Sequence, residues 1–148
     1  MNQKPVFKWS SAGRSHVGMV RAINEDACLV MPELGLWAVA DGMGGHEAGD
    51  IASQMLIEGL QQIPPPCDWQ DFLDSVRQQM QEVNQRLRLE SAQRYQNRTI
   101  GSTVVALLIY ETQCACLWVG DSRIYRLRDG QLQQLTRDVE RQFQNFQY

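Results

Sequence analysis

Three short polar clusters border the apolar stretches of this chain, and each carries a carboxylate at the edge of one. The first is Arg21-Ala22-Ile23-Asn24-Glu25-Asp26, just ahead of residues 27–31 (ACLVM). The second is Asp41-Gly42-Met43-Gly44-Gly45-His46, directly after residues 35–40 (GLWAVA). The third is Gly120-Asp121-Ser122-Arg123, which follows the apolar CLWV. Carboxylates delivered in this way are candidate ligands for a hard cation, because Mg²⁺ and Mn²⁺ take oxygen donors and keep waters. Two such ions can activate a water and polarise a phosphoryl oxygen, and a nearby arginine grips phosphate with its planar fork.

Taken singly, each cluster has a plainer reading. Asp-Gly after a strand is a turn, Asn24-Glu25-Asp26 a solvated loop, Arg21 a surface charge, and Asp121-Ser122-Arg123 a turn with an ion pair. Gly42, Gly44 and Gly45 match neither G-x4-G-K-[ST] nor G-x-G-x-x-G, so nucleotide binding has no support. His16 and His46 are the only histidines, which excludes a histidine-rich metal site.

The elements that must position these clusters follow from periodicity and turn signals. Residues 6–13 (VFKWSSAG) are expected to form a first strand. Residues 27–31 form another, ended by Pro32-Glu33-Leu34-Gly35. Residues 35–40 form a further strand that should stop at Asp41, because Asp41-Gly42-Met43-Gly44-Gly45 favours no regular structure. A helix is predicted over 47–62, with Ile51, Met55 and Leu60 as its apolar stripe and Pro64-Pro65-Pro66 beyond its end. A second helix fits 68–95: Phe72, Val76, Met80, Val83 and Leu87 share one face, which reads as packing on its own domain, and Asp68 is placed to cap it. Strands return at 102–110, 114–119, 124–128 and 131–136. Glu111-Thr112-Gln113 and Asp129-Gly130 supply the hairpin turns. Hairpin-connected strands around a central helical pair predict an α+β fold, not a parallel α/β sheet.

Composition bounds the function. The chain has 148 residues, 43% apolar and 21% charged, with a net charge of -3. That describes one globular domain, 1–148, and argues against disorder and against a broad basic surface for nucleic acid. The longest apolar run, 104–110, is far short of the ~20 residues of a membrane helix. The opening MNQKPVFKWS has no apolar signal-peptide stretch, so no membrane partner and a cytoplasmic location are expected. Four cysteines, at 28, 67, 114 and 116, are too few and irregular for a disulfide framework. The C-x-C lacks the second pair a zinc site needs, so the cysteines are expected to be buried as small apolar side chains.

The clusters say more together than apart. Arg21-x-x-Asn24-Glu25-Asp26, Ala40-Asp41-Gly42-Met43-Gly44-Gly45-His46, Gly101-Ser102-Thr103, Val119-Gly120-Asp121-Ser122-Arg123 and Leu135-Thr136-Arg137-Asp138 occur in this order. From about Ser11 to Asp138 the chain resembles the metal-dependent serine/threonine protein phosphatases of type 2C (the PPM family), in their bacterial stand-alone form. The resemblance implies a four-layer αββα sandwich of two antiparallel sheets flanked by helices, incomplete at the C-terminus. It implies hydrolysis of phosphoserine and phosphothreonine on proteins by a metal-activated water, with no phosphoenzyme. Two ions of Mn²⁺ or Mg²⁺, and a third in bacterial members, are the implied cofactors. By the same resemblance Asp41 bridges two metals, the Gly42 carbonyl binds one, Asp26 with Glu25 holds the first directly or through water, and Asp121 serves the third. Arg21 binds the substrate phosphate. The implied substrate is a phosphorylated protein, the product of a bacterial Ser/Thr kinase, and some short relatives accompany type VI secretion systems.

Two departures qualify that picture. Met43 stands where some members have a histidine proposed as general acid, and His46 does not inherit that role. The family's late Ser-Asp-Gly and Asp-Asn motifs are absent, and residues 139–148 diverge, although Val139, Phe143 and Phe146 fall at helical spacing. The chain therefore resembles the N-terminal portion of the domain, and weak or no turnover is expected of these residues alone. The alternative functional expectation is a non-catalytic phosphoprotein-binding or regulatory fragment without a complete metal site. A third is a product whose open strand edges prevent stable folding.

Overall fold

The structure, a computed structural model, describes residues 8–44, 48–96 and 98–138. Its main sheet begins with β1 (Asp26–Met31) and β2 (Leu36–Met43). Two helices follow, α1 (Ala48–Gln61) and α2 (Trp69–Arg94). Then come β3 (Gly101–Ser102), β4 (Val104–Tyr110) and β5 (Gln113–Val119), and a hairpin of β6 (Tyr125–Arg128) and β7 (Gln131–Gln134). The main sheet has the order β1-β2-β4-β5, with β3 pairing the far end of β2, and β6-β7 is a second sheet. All pairings are antiparallel. The α+β expectation holds: the described layers are a helix pair, a five-stranded sheet and a two-stranded sheet.

Alternation along the strands decides which face is covered. Leu36, Ala38 and Ala40 of β2 are buried, as are Ala27 and Leu29 of β1 and Val104, Ala106 and Leu108 of β4. Phe72, Val76, Val83 and Leu87 of α2 pack into the same core, on the face the spacing predicted. Asp68 caps α2 by accepting from the Asp71 amide at 2.9 Å, and the Asp71 carboxylate accepts in turn from the Cys67 amide at 2.9 Å. Such caps satisfy amide donors that the first helical turn leaves unpaired.

The structure corrects several expectations. Residues 8–13 form no regular strand; Trp9 stacks edge-on against Trp37 with ring centroids 6.0 Å apart. On α1 the buried residues are Ala48, Gly49, Ala52, Ser53, Leu56, Ile57, Gly59 and Leu60, while Ile51 and Met55 are only half-buried. Small residues let α1 approach its neighbours closely and share its inner face with Leu56, Ile57 and Leu60, of which the predicted stripe named Leu60. The strand expected at 102–110 is broken at Thr103. All four cysteines are free, but none is fully buried; Cys67 and Cys114 are exposed. The expectations placed on His46 and on residues 139–148 lie outside the described residues.

The most consequential difference is in β2, which continues through Asp41, Gly42 and Met43. Two partners hold it extended: Asp41 pairs with Asp26 of β1, while Gly42 and Met43 pair with Ser102 and Gly101 of β3. A glycine-rich segment that reads locally as a loop is thus fixed as strand by pairing on both sides. Among the described residues no helix is long and apolar enough to cross a membrane.

Candidate metal and phosphate site

Asp26 opens β1 and stands directly opposite Asp41 in the β1–β2 register. Strand side chains alternate between faces. Both carboxylates therefore lie on the side away from the helices, because Ala27 and Ala40, their neighbours along the strands, are buried in the core.

Charge is crowded at this end of the sheet. The Asp41 carboxyl is held above its ordinary value, first by partial burial. The charges of Asp26, Asp121 and Glu25 then push it further the same way, as does a side-chain hydrogen bond with Asp26. Desolvation and like charges both disfavour the ionised form. The third cluster thus converges on the first two in space.

Glycine is required where the second cluster crosses the first. A Cβ on Gly42 would sit 1.8 Å from the Gly49 carbonyl oxygen and 3.0 Å from that of Glu25. The Gly42 amide donates to the Glu25 carbonyl at 2.9 Å. A Cβ on Gly49 would lie 2.2 Å from Glu25 Oε1. Gly42 and Gly49 therefore clear the space in which Glu25 lies against β2 and α1. Gly49 is a site residue that sequence reasoning missed; the six residues from Gly44 to Gly49 (GGHEAG) carried the signal.

Arg21 reaches the same cluster from the loop before β1. Its Nη1 lies 3.4 Å from Glu25 Oε2, and its side chain is 76% exposed. A long, exposed pair of this kind is weak, so the guanidinium stays available to an arriving anion. Asn24 shapes the same loop: its Oδ1 accepts from the Asp26 amide at 3.0 Å, and its Nδ2 donates to Ser15 Oγ at 2.7 Å.

Asp121 follows Gly120, whose φ of +98° favours glycine. Further along this loop, Arg123 Nε donates to Asp138 Oδ1 at 2.9 Å, and its Nη2 also donates to Asp138. The bidentate bonds hold the Asp138 carboxyl below its ordinary value. Arg123 is thus committed to Asp138, which leaves Arg21 as the phosphate-gripping candidate of the two.

Among the described residues, no group of three or more His, Cys, Asp and Glu side chains is arranged to hold a metal ion. The residues nevertheless fit a hard dication by chemistry. Asp26, Asp41, Asp121 and Glu25 are all oxygen donors, and their mutual repulsion at Asp41 is what a cation would relieve. Mg²⁺ in particular is often bound through one or two carboxylates and several waters.

Comparison with known proteins gives one consistent result. The family model described as Protein phosphatase 2C matches residues 12–147. The serine/threonine protein phosphatase PstP of Mycobacterium tuberculosis is 37% identical over 127 residues, which cover 86% of this chain and 24% of PstP. The serine/threonine phosphatase stp of Listeria welshimeri is 34% identical over 132 residues, covering 84% of this chain and 52% of stp. Among solved structures, PppA, a key regulatory component of T6SS in Pseudomonas aeruginosa, superposes with a TM-score of 0.79 at 46% identity. The match covers 84% of this chain and 54% of that one. The catalytic domain of PstP in complex with 2 manganese ions gives a TM-score of 0.75 at 36% identity, covering 84% and 54%. The chain thus spans about half of stp and a quarter of PstP.

Proposed function

We propose that this chain, which belongs to the protein phosphatase 2C family, carries out metal-dependent hydrolysis of phosphoserine and phosphothreonine in proteins. The observation that carries the reading is the Asp26–Asp41 pair, set face to face across β1–β2 with charge that no described cation neutralises. In this reading residues 1–148 are one type 2C phosphatase-like domain portion. Asp41, with Asp26, Glu25 and the Gly42 carbonyl, would hold two ions of Mn²⁺ or Mg²⁺, and Asp121 would hold a third. When bound, the ions supply a Lewis acid for the phosphoryl oxygens and an activated water.

The chain's own residues supply placement. Asp26 and Asp41 are fixed by strand pairing, so little reorganisation accompanies binding. Arg21 turns from its weak Glu25 contact to the substrate phosphoryl oxygens and orients the phosphate by a forked, charge-assisted contact. The paired strands and the Gly42–Gly49 crossing hold the cluster on rigid elements, which catalysis by electrostatic stabilisation requires.

The substrate in this reading is a phosphoprotein made by a bacterial Ser/Thr kinase, in the cytoplasm. The likeness to PppA supports an association with type VI secretion. One observation favours a second reading, a phosphoprotein-binding or regulatory unit: no three described side chains are arranged to hold a metal, yet the exposed Arg21, only weakly paired with Glu25, can turn to a phosphate. The two separate in one experiment. Phosphothreonine-peptide hydrolysis that needs Mn²⁺ and is lost in Asp41→Asn supports the phosphatase. Binding without metal that is lost in Arg21→Ala, with no hydrolysis, supports the second reading.

A further inference from the structure

Two residues of the recurring motifs, Thr103 and Ser122, have no part in the roles above, yet they join the elements that carry the acidic cluster. Thr103 stands at the break between β3 and β4. Its Oγ1 accepts from the Asp41 amide at 3.2 Å, and its own amide donates to the Asp41 carbonyl at 2.8 Å. Ser102 Oγ donates to that same carbonyl at 3.1 Å. Both backbone polar groups of Asp41 are therefore bonded to residues 102–103. On its other side Thr103 Oγ1 lies 2.6 Å from Ser122 Oγ, and Ser122 is next to Asp121.

We infer that Thr103 and Ser122 are positioning residues, whose hydroxyl pair ties the Asp41 backbone to the Asp121 loop. The inference rests on the reading of Asp41 and Asp121 as metal ligands. Three further observations support it. A Cβ at Gly120 would lie 2.7 Å from Thr103 Cγ2, so the loop folds directly over Thr103. Beyond Ser122 the loop is anchored again, by the Ile124 amide on Thr136 Oγ1 at 3.1 Å and by Arg123 on Asp138. Thr136 is itself buried. The loop is thus fixed at both ends, and Thr103 is the end that reaches Asp41. Carboxylates of like charge separate unless something holds them. The hydroxyl pair does so before any cation arrives, and groups that orient metal ligands in this way are commonly worth about 10–100-fold in affinity.

The test compares wild type with Thr103→Val, Thr103→Ser, Ser122→Ala and the Thr103→Val/Ser122→Ala double variant. Valine keeps the shape of threonine and removes the hydroxyl. Mn²⁺ affinity is read by titration of the spin-resonance signal of the free ion, at a temperature where near-ultraviolet dichroism shows every variant folded. Thr103→Val and Ser122→Ala are each expected to weaken Mn²⁺ binding about 10-fold or more. Thr103→Ser should restore it, and the double variant should be no worse than Thr103→Val, which already lacks the contact to Ser122 as well as the one to the Asp41 amide. Without metal, the Asp41 amide should exchange with solvent faster in Thr103→Val than in Thr103→Ser. A merely structural role would lower the melting temperature and leave the affinity of the folded protein unchanged. Unchanged affinity in Thr103→Val, or losses that simply add in the double variant, overturns the inference. If wild type takes up no Mn²⁺ and Asp41→Asn is indistinguishable from it, the metal reading fails and this inference falls with it. If wild type binds, Asp41→Asn does not and Thr103→Val is unaffected, the positioning role alone is overturned.

Discussion

Asp26 and Asp41 face each other across an antiparallel ladder, both accessible to solvent. Opposed like charges in a ladder are destabilising, so the sheet carries a stability cost at the candidate site. A bound dication reverses the sign of that term.

Substitution at Asp41 should therefore stabilise the metal-free chain. The folded-state carboxyl lies above the ordinary value of 3.8, so at neutral pH its ionised form opposes folding. That opposition fades as pH falls from the raised value toward 3.8, and stability in this window rises as pH falls. Asp41→Asn is expected to melt above wild type at pH 7 without metal, with the gap narrowing as the pH is lowered through that window. Scanning calorimetry across pH reads both. Added Mn²⁺ should raise the melting temperature of wild type and leave Asp41→Asn unmoved.

The Gly42 and Gly49 substitutions should differ in kind. Alanine at 42 drives a Cβ into backbone, the Gly49 carbonyl, whereas alanine at 49 meets the end of the Glu25 side chain. Gly42→Ala is expected to cost about 3 kcal/mol or more, and Gly49→Ala about 1 kcal/mol, by urea denaturation. The Gly49 variant should still fold, with Glu25 displaced and Mn²⁺ binding weakened.

Arg21 is exposed and weakly paired, so its removal should leave stability within about 0.5 kcal/mol. Its loss should be felt in phosphopeptide affinity. A hydrogen bond to a charged group is worth about 1.5–3 kcal/mol, which predicts roughly 10–100-fold weaker binding for Arg21→Ala. Lysine should recover only part of it, because it lacks the fork.

Asp138 carries the opposite pH signature from Asp41. Arg123 lowers its carboxyl value, so the pair's contribution is present above the ordinary carboxylate value and is lost as pH falls through the depressed one. Asp138→Asn should melt below wild type at pH 7, by a small margin because the pair is exposed, and coincide with it in strong acid. Thermal melts at the two pH values check this.

Features set by neighbouring residues are legible in the sequence. The α2 face of Phe72, Val76, Val83 and Leu87 and the Asp68 cap are written in adjacent turns. The Asp129-Gly130 hairpin is read from its two residues, both with positive φ. The three acidic clusters are visible as residue types, but their meeting is not, because the Asp26–Asp41 register and the Asp121 approach depend on which strands pair. The extension of β2 through Met43 escapes a local reading for the same reason: its partners are Gly101 and Ser102, far along the chain. Thr103 reads as part of one continuous strand, because its break exists only when its hydroxyl turns to Asp41 and Ser122.

The most direct test of the account is release of inorganic phosphate from a phosphothreonine peptide by the purified chain. It is followed with Mn²⁺, with excess chelator, and in the Asp41→Asn variant. The account predicts slow release that requires Mn²⁺, stops with chelator and is absent in Asp41→Asn. Release that continues in chelator or survives the substitution would contradict it.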